Sequence, residues 1–320
     1  MIHVVCCPDN YYAMPTGVML CSLCENNKTE QLFIHVVHAD LSEQNQQRLT
    51  ETVTQYGQEI EFLKINRSSL PNIKLTREQQ QLPIATYYRL FLSSLLHANI
   101  DKVLYLDGDI IVRGNIKRLY EEPLVDFSVA AADDYLFSND RIEQSYNALK
   151  IPPSSGYFNC GVILINLEFW RLHGVEKQFI QFIESHNLPL YHHDQDVLNK
   201  VLCHSKKFLP LTYNFQHNFL AKPEYRKISW EFNEEIERTA TNPVILHFTG
   251  SKPWREDCDH PYREEFLKYR ALTVWRDTSI ERCLKWRAKR PLKKLMMALG
   301  VPYNYYKPQW AYNYKDLVQE

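Results

Sequence analysis

Apolar and polar positions follow two periods in turn along the first 130 residues, which predicts an alternation of strands and helices. Short runs of apolar and β-branched residues predict strands at 2–7, 32–38, 60–65 and 102–106. Apolar residues at helical spacing predict helices at 14–25, 43–56 behind a Ser42 N-cap, and 84–97. This order predicts a parallel α/β core, in which ligands bind beyond the carboxyl ends of the strands.

The pattern becomes mixed in the second half of the chain. It predicts strands at 128–132, 157–166 and 244–248, and an amphipathic helix at 168–186. We find no internal repeat and no low-complexity linker. The predicted boundary falls near Ala271, with a single catalytic domain over 1–271 and a basic, aromatic-rich tail of short helices over 272–320.

Two carboxylates end the fourth predicted strand. Asp107 and Asp109 flank Gly108, after the apolar run 103–106 and before the apolar run 110–112. Residues i and i+2 of an extended segment point to the same side, so both carboxylates can converge on one hard divalent cation and its phosphate oxygens. The pair therefore predicts a metal site.

A second set of polar residues begins at the end of the last predicted strand. His247 offers an imidazole as a third metal ligand, Gly250 allows close backbone approach, and Lys252 offers charge to a phosphate. The alternative is a structural histidine at a strand end, followed by a turn. The 9 glycines form neither a GxGxxG after the first strand nor a GxxxxGK. Bound phosphates would therefore need a metal and side chains.

Length and composition predict a globular protein in the cytoplasm. A chain of 320 residues with a 45% apolar fraction can bury one large core or two ordinary ones. It opens without a secretory signal pattern, and no apolar run approaches the roughly 18 residues of a membrane span. Eight cysteines in so long a chain are typical of small apolar residues in a reducing compartment.

Two short motifs invite a zinc interpretation. Cys21 and Cys24 have the two-residue spacing of a zinc or redox pair, but no second pair exists and the segment is predicted to be helical, so we expect core packing. His192, His193 and Asp194 are adjacent, but they lack a helical ligand spacing or a cysteine partner. We expect surface polar groups, or groups that support a site, and not a zinc site.

Five segments occur in an order that resembles the retaining glycosyltransferases of family 8. This family includes bacterial lipooligosaccharide galactosyl- and glucosyltransferases and glycogenin-like proteins. The segments are 8–11 (PDNY), 86–89 (TYYR), 105–109 (YLDGD), 158–162 (FNCGV) with Asn166, and 194–199 (DQDVLN) followed by 247–254 (HFTGSKPW). The DGD triplet alone is a weak signal, whereas the ordered set spans nearly the whole chain.

The resemblance implies a GT-A fold, with a Rossmann-like nucleotide-binding half and a mixed central sheet. It also implies retaining transfer of a hexose, galactose or glucose, from a UDP-sugar to a glycan hydroxyl, as in lipopolysaccharide or lipooligosaccharide synthesis. The implied metal ligands are Asp107, Asp109 and His247. The implied donor-binding residues are Asp9, Asn10 and Tyr11 at the uridine, Gly250 and Lys252 at the diphosphate, Arg89, Asp134, Asn159, Asp194 and Gln195 around the sugar with Thr86 nearby, and Gly108 between the two acids.

The chemistry gives an independent reason for these residue types. Breaking a sugar–phosphate bond leaves a nucleoside diphosphate of growing negative charge, which a divalent cation stabilises as a Lewis acid. Two carboxylates and an imidazole favour Mn²⁺, because Mg²⁺ prefers oxygen and water, although Mg²⁺ stays an alternative. For catalysis the resemblance indicates Gln195 and Asp194. An amide oxygen is a poor nucleophile, so we favour front-face attack by the acceptor over a covalent intermediate.

One residue departs from the family pattern. Pro8 stands where members usually have an acid or another polar residue, and proline carries neither a backbone donor nor a carboxylate. This keeps open an altered nucleotide specificity, or a protein that binds a nucleotide sugar or glycan without turnover. A sugar-nucleotide nucleotidyltransferase is a weaker alternative, because the glycine-rich loop such enzymes use is missing after the first strand.

The predicted tail concentrates positive charge in a chain whose net charge is only −1. Residues 276–294 contain eight Lys or Arg against Asp277 and Glu281, with apolar stripes and nearby Trp and Tyr. Such segments bind anionic membrane surfaces, which would bring the enzyme to a lipid-linked acceptor on the inner face of the cytoplasmic membrane. A solvated helix packed on the domain is the alternative. Nucleic acid is not an expected partner, since no known binding module accompanies the block.

Overall fold

The computed structural model describes residues 1–66, 84–134, 146–185, 190–220, 230–258 and 260–284. The basic and aromatic part of the predicted tail, 285–320, lies outside these residues, as does residue 186 at the end of a predicted helix. Within the described residues, no helix combines the length and the apolar character needed to cross a membrane.

A mixed seven-stranded sheet forms the centre of the fold, in the order β3-β2-β1-β4-β7-β6-β8. Only β7 runs opposite to the other six strands, pairing antiparallel with β4 and β6. The strands are β1 (Ile2–Cys6), β2 (Leu32–His38), β3 (Glu59–Lys64), β4 (Lys102–Leu106), β6 (Val129–Asp133), β7 (Phe158–Asn166) and β8 (Lys206–Leu209).

A three-stranded sheet lies beyond the end of β4. Its order is β5-β10-β9, with β10 antiparallel to β5 and parallel to β9. The strands are β5 (Ile110–Val112), β9 (Phe215–Gln216) and β10 (Ile245–His247). Because β10 pairs directly with the strand that follows Asp109, this sheet brings His247 to the two acids.

Helices cover the sheets and bury their apolar faces. The α-helices are α1 (Ala13–Glu25), α2 (Glu43–Thr54), α3 (Leu92–Leu95), α4 (Lys117–Tyr120), α5 (Leu167–Leu172), α6 (Val175–Ser185), α7 (Asp194–Val201), α8 (Trp230–Ala240) and α9 (Arg263–Ala271). Helix α1 is buried along nearly its whole length, including Cys21 and Cys24. Core packing of this cysteine pair is therefore confirmed, and all eight cysteines are free thiols.

The parallel core and the predicted mixed second half are confirmed, but two predicted helices differ. The segment predicted as helix at 84–97 is a 3₁₀ helix over Ile84–Phe91 followed by the short α3. The helix predicted at 168–186 is divided into α5 and α6 at Gly174, whose φ of +57° lies in the left-handed region. Apolar spacing reports the buried face on both sides of such a break but not the break itself.

The chain beyond α9 continues to pack on the domain. The ring of Trp275 is 3% exposed and lies against Gly17 of α1, where an added Cβ would come within 2.2 Å of Trp275 Cζ3. The Arg48 guanidinium lies 5.9 Å from the centre of the same ring. Helix α9 ends at Ala271, at the predicted boundary, and residues 272–284 remain on the surface of the same body. The division into domain and tail stays a prediction.

Candidate active site

Asp107 and Asp109 lie in the three-residue turn between β4 and β5. The backbone N–H of Asp107 donates to Gly161 O of β7 at 2.8 Å, and Asp109 O accepts from Phe248 N at 2.9 Å. These bonds fix the turn from both sides. Gly108 packs so closely on α1 that an added Cβ would lie 2.5 Å from Thr16 Oγ1.

His247 meets both acids from the end of β10. Its Nε2 lies 3.4 Å from Asp109 Oδ1 and 3.8 Å from Asp107 Oδ2. One ligand atom from each of the three residues lies within 4.8 Å of the others, and this is the one such group of three or more acids, cysteines or histidines among the described residues. The geometry brings together the predicted metal ligands, and their spacing fits one divalent cation.

Asn214 sets the tautomer of His247. Asn159 Oδ1 accepts from Gly161 N at 3.0 Å, so the 2.8 Å contact from Asn214 to that oxygen must be donated by Asn214 Nδ2. Asn214 Oδ1 is then the atom 3.0 Å from His247 Nδ1, which must carry the ring proton. In the neutral ring Nε2 then carries the lone pair and faces the carboxylates, which is the arrangement a metal-binding histidine needs.

Lys252 lies at the other side of Asp109. Its ammonium forms a close ion pair with Asp109 Oδ2 and donates to Phe248 O at 2.7 Å. Burial by itself would raise the pKa of Asp109, but the charge of Lys252, with a further contribution from His247, outweighs it and holds that pKa well below its usual range. Gly250 packs closely against the imidazole of His217, because an added Cβ would lie 2.7 Å from His217 Cδ2.

Arg89 links two acids behind the metal cluster. Its guanidinium binds Asp107 Oδ1 at 2.9 Å and Asp194 Oδ2 at 3.0 Å, donates to Cys160 O at 2.7 Å, and lies 4.3 Å from the Tyr105 ring centre. Burial opposes the charged form, but the two carboxylates raise the pKa of Arg89 well above its ordinary value. Burial raises the pKa of Asp194 to about 6 despite Arg89.

Gln195, Asp134 and Asn159 form a second polar group. Gln195 Oε1 accepts from Cys160 N at 3.0 Å, and its Nε2 donates to Asp134 Oδ2 at 2.8 Å. Asn159 Nδ2 donates to the same oxygen at 3.2 Å. Asp134 Oδ1 is buried and has no hydrogen-bond partner among the described residues. A buried acceptor of this kind is costly unless a ligand satisfies it, so it indicates where a sugar hydroxyl can bind.

The three residues predicted to contact the uridine each form a hydrogen bond to a different part of the protein. Asp9 Oδ1 accepts from Tyr12 N at 2.8 Å, and Asn10 Oδ1 accepts from Ser42 N at 2.9 Å, which ties the loop to the start of α2. Tyr11 is 57% exposed, and its hydroxyl donates to Glu281 at 2.6 Å. All three lie at the carboxyl end of β1.

One cleft connects much of this set, with a volume of about 220 Å³. Of the predicted site residues, Asp9, Thr86, Arg89, Asp107, Gly108 and Asp109 line it. Its other lining residues are Cys7, Pro8, Tyr12, Thr16, Ala85 and Tyr105. Six of the predicted site residues therefore share one cleft, in which Tyr12 and Tyr105 form an aromatic wall.

Two contributors were missed from the sequence. Asn214 holds His247, and the hydroxyl of Tyr105 donates to Asp107 Oδ1 at 2.7 Å. Tyr105 lies in a quoted motif, and its position two residues before an acid on the same strand face could have indicated the contact. Asn214 is one of several polar residues in 211–220, and no spacing signal sets it apart.

The fold and the acid–acid–histidine cluster together define a GT-A glycosyltransferase. The family model for Glycosyl transferase family 8 matches residues 3–258. The chain belongs to glycosyl transferase family 8.

Individual relatives support the same family assignment. The chain is 30% identical over 283 residues to general stress protein A of Bacillus subtilis, covering 86% of this chain and 95% of that one. It is 26% identical over 315 residues to lipopolysaccharide 1,3-galactosyltransferase of Salmonella typhimurium, covering 93% and 87%. Among solved structures, galactosyltransferase LgtC in complex with donor and acceptor sugar analogs superposes with a TM-score of 0.72 at 27% identity, covering 90% of this chain and 100% of that one.

Proposed function

We propose that the protein transfers a hexose, galactose or glucose, from a UDP-sugar to a hydroxyl of a lipopolysaccharide or lipooligosaccharide acceptor, with retention at the anomeric carbon. The observation that carries this proposal is the cluster of Asp107, Asp109 and His247, whose two acids line the cleft. Support for the acceptor class comes from relatives named as lipopolysaccharide glucosyl- and galactosyltransferases, each aligned over more than four fifths of this chain.

We propose Mn²⁺ as the cation and Mg²⁺ as its substitute. Asp107, Asp109 and His247 would hold it, through two carboxylate oxygens and the unprotonated Nε2. A divalent cation there supplies Lewis-acid charge to the diphosphate leaving group. A nitrogen ligand favours Mn²⁺, because Mg²⁺ demands oxygen ligands and retains water.

The remaining charges of the site support binding of a diphosphate. Lys252 is paired with Asp109, and a phosphate oxygen is an additional acceptor for its ammonium. Arg89 binds Asp107, Asp194 and Cys160 O, so it holds these two acids in place. The free oxygen of Asp134 and the amides of Asn159 and Gln195 offer acceptors and donors to sugar hydroxyls.

The geometry favours front-face substitution. Asp194, a carboxylate that could attack the anomeric carbon, is committed to the guanidinium of Arg89 and accepts from Cys160 Sγ at 3.5 Å, which weakens it as a nucleophile. In the front-face route the acceptor oxygen bonds to the anomeric carbon as the sugar–phosphate bond breaks. The proton of the acceptor hydroxyl passes to the departing phosphate. A sugar adduct on Asp194 or Gln195, seen by intact mass after incubation with donor, would contradict this route.

UDP release tests the function. The purified protein is incubated with a panel of UDP-sugars, with Mn²⁺, with Mg²⁺ and with chelator. We expect Mn²⁺-dependent release from UDP-galactose or UDP-glucose, and its loss in Asp109→Asn. The matched control is Asp126→Asn, an exposed acid outside the cleft lining. Nucleotide binding without release would favour the non-catalytic alternative, and pyrophosphate exchange would favour a nucleotidyltransferase.

We also propose a cytoplasmic enzyme that associates peripherally with the anionic inner face of the membrane. The basic block of 276–294 supports this, at about 1 kcal/mol per basic residue near the headgroups. Changing Lys285, Lys289 and Lys293 together to Glu should reduce cosedimentation with anionic liposomes and leave donor hydrolysis intact. Cosedimentation equal to that of the unchanged chain, at low and at high salt, would contradict it.

A further inference from the structure

The segment 272–284, which follows the last described helix, is anchored next to the candidate donor site. Trp275 is buried against Gly17 of α1, and six residues later the chain reaches Trp254 and Arg255. Glu281 N donates to Trp254 O and Glu256 N donates to Glu281 O, both at 2.9 Å. This two-way pairing fixes the backbone of Glu281 rather than leaving the residue on a free end.

The side chain of Glu281 joins two segments that are far apart in sequence. One oxygen accepts from the Tyr11 hydroxyl at 2.6 Å, across 270 positions of the chain. The other oxygen lies 3.4 Å from Arg255 Nη1. Arg255 is itself oriented by Asp257, whose two oxygens accept from the guanidinium at 2.9 and 3.1 Å. A single carboxylate therefore ties Tyr11 to a guanidinium whose plane is already fixed.

Each of these segments carries candidate donor-binding residues. Tyr11 follows Asp9 and Asn10 in the loop after β1. Arg255 donates its backbone N–H to Lys252 O at 3.0 Å, so it closes the turn that carries the ammonium at Asp109. The contact through Glu281 thus runs from the side of the predicted nucleotide to the side of the predicted diphosphate.

The side chain of Tyr11 is fixed by its hydrogen bond to Glu281, but its ring remains exposed. Its side chain is 57% exposed, with its edge against Tyr12 at 5.7 Å between ring centres, and Tyr12 in turn meets Trp254 at 5.6 Å. Partial burial and the bond to Glu281 raise the pKa of Tyr11, so its hydroxyl stays protonated and donates. An aromatic face fixed in advance binds a base without the entropy cost of ordering it.

We infer that Glu281 is a positioning residue for the nucleoside diphosphate: it locks Tyr11 to the segment of Lys252 and Arg255, so that the two sides of the donor site are held as one wall. This inference rests on the proposed function for the identity of the ligand. It assigns a role in donor binding to a residue beyond the matched family region of 3–258.

A double-mutant cycle in the full-length protein tests the inference. The proteins are the unchanged chain, Tyr11→Phe, Glu281→Ala and the double variant. The affinity for UDP in the presence of Mn²⁺ is measured by calorimetry, together with KM and kcat for UDP-sugar hydrolysis and the unfolding temperature. Each single change should weaken UDP binding about three- to tenfold, with a larger effect on KM than on kcat. The double variant should be no weaker than the weaker single variant, because both changes break the same bond.

Two further variants separate positioning from folding. Glu281→Gln keeps an acceptor for the Tyr11 hydroxyl and should recover part of the lost affinity. Asp277→Ala removes an exposed acid of the same segment, paired only at 3.6 Å with the exposed Arg276, and should bind UDP like the unchanged chain. A lowered unfolding temperature with unchanged UDP affinity in Glu281→Ala would overturn the inference, as would additive losses in the double variant.

The outcome also distinguishes this inference from the proposed function. If the unchanged chain binds UDP but releases none from any UDP-sugar, and the variants weaken binding as expected, the transferase proposal fails and the role of Glu281 stands. If turnover is present and the variants bind UDP like the unchanged chain, the inference alone fails. If the unchanged chain does not bind UDP, both fail.

Discussion

His247 donates its Nδ1 proton to Asn214 Oδ1 across 3.0 Å, and this bond turns the other ring nitrogen toward Asp107 and Asp109. The direction of the bond follows from Asn159, which accepts from Gly161 N and from Asn214 Nδ2 through one oxygen. Three buried residues thus place the Nδ1 proton of the His247 imidazole. The cluster is prepared for a cation by its neighbours and not by its three ligands alone.

Removing the partner of the imidazole should weaken metal binding. In Asn214→Ala, His247 loses the acceptor that fixes its tautomer and ring orientation. Loss of such an outer partner typically costs about 10- to 100-fold in metal affinity or activity. We therefore expect the Mn²⁺ concentration for half-maximal UDP release to rise by about that factor. An unchanged Mn²⁺ requirement would show that Asn214 does not orient the ligand.

Gly161 should tolerate no side chain, because it forms the surface on which the cluster packs. An added Cβ would lie 2.1 Å from His247 Cε1 and 2.8 Å from Asp107 Oδ2, so both ligands would have to move. We expect Gly161→Ala to lower Mn²⁺-dependent UDP release by about 100-fold, as small displacements of reacting groups do. Mn²⁺ binding measured by electron paramagnetic resonance should weaken in parallel.

Gly114→Ala provides the matched control for this change. Its added Cβ would meet Val244 Cγ1 at 3.4 Å, an ordinary van der Waals contact. This variant should retain Mn²⁺ binding and turnover. Retention of both by Gly161→Ala as well would contradict the packing argument.

The fold was predictable where local pattern and global structure agree. Strands β1, β2 and β4 are apolar runs that are buried on both faces of the sheet. The sequence pattern of such a run already indicates a central strand, which is what the fold contains. Strands β8 and β9 were missed, because β8 contains two lysines and β9 has only two residues. Their pairing depends on neighbours distant in sequence, which a local pattern does not contain.

The candidate site likewise contains residues that the sequence predicts and residues that it does not. Asp107 and Asp109 were predictable because one strand end delivers both. His247 was predicted to join them from its residue type at the end of a predicted strand and from the resemblance, and the pairing of β10 with β5 provides the physical reason. Asn214 and Glu281 could not be predicted, since each acts through a contact that exists only after the chain has folded.

The segment after α9 should contribute to stability. Trp275 is 3% exposed and packs on Gly17 and Arg48, whereas its neighbour Val274 is 43% exposed. Truncating a buried tryptophan to alanine costs about 3–5 kcal/mol, while an exposed substitution stays within about 0.5 kcal/mol. Urea unfolding of Trp275→Ala and Val274→Ala compares the two. Equal stability of both variants would show that 272–284 is not part of the domain.

Acidification should destabilise a histidine pair on the first two strands. His35 Nδ1 lies 2.5 Å from a Glu61 oxygen and so carries a proton, which leaves Nε2 to accept from His3 Nδ1 at 3.0 Å. Burial lowers the pKa of His35 and of His3 below 6.5, and the neighbouring His35 lowers the pKa of His3 further. The unfolded chain therefore binds more protons than the native one below pH 6.5.

The sign follows from this difference in bound protons. Stability is fully present above pH 6.5 and is lost as the pH falls from there toward the lowered native pKa values. In His3→Leu the loss between pH 7.5 and pH 5.5 should be smaller than in the unchanged chain, as judged by the unfolding temperature at the two values. A loss of the same size in both proteins would exclude the pair as its source.

Arg89 should be irreplaceable by lysine, although the charge is conserved. Its guanidinium reaches Asp107, Asp194 and Cys160 O at once, through three nitrogen atoms held in one plane over the Tyr105 ring. A lysine ammonium is a point charge without this fork, so in Arg89→Lys one buried carboxylate loses its direct partner. An unpaired buried charge is expensive, and Asp194 would respond by taking up a proton near neutral pH, since burial already raises its pKa to about 6. We expect kcat/KM for UDP release to fall about 100-fold or more. Turnover within threefold of the unchanged chain would show that charge alone, and not the geometry of the fork, is what the site requires from residue 89.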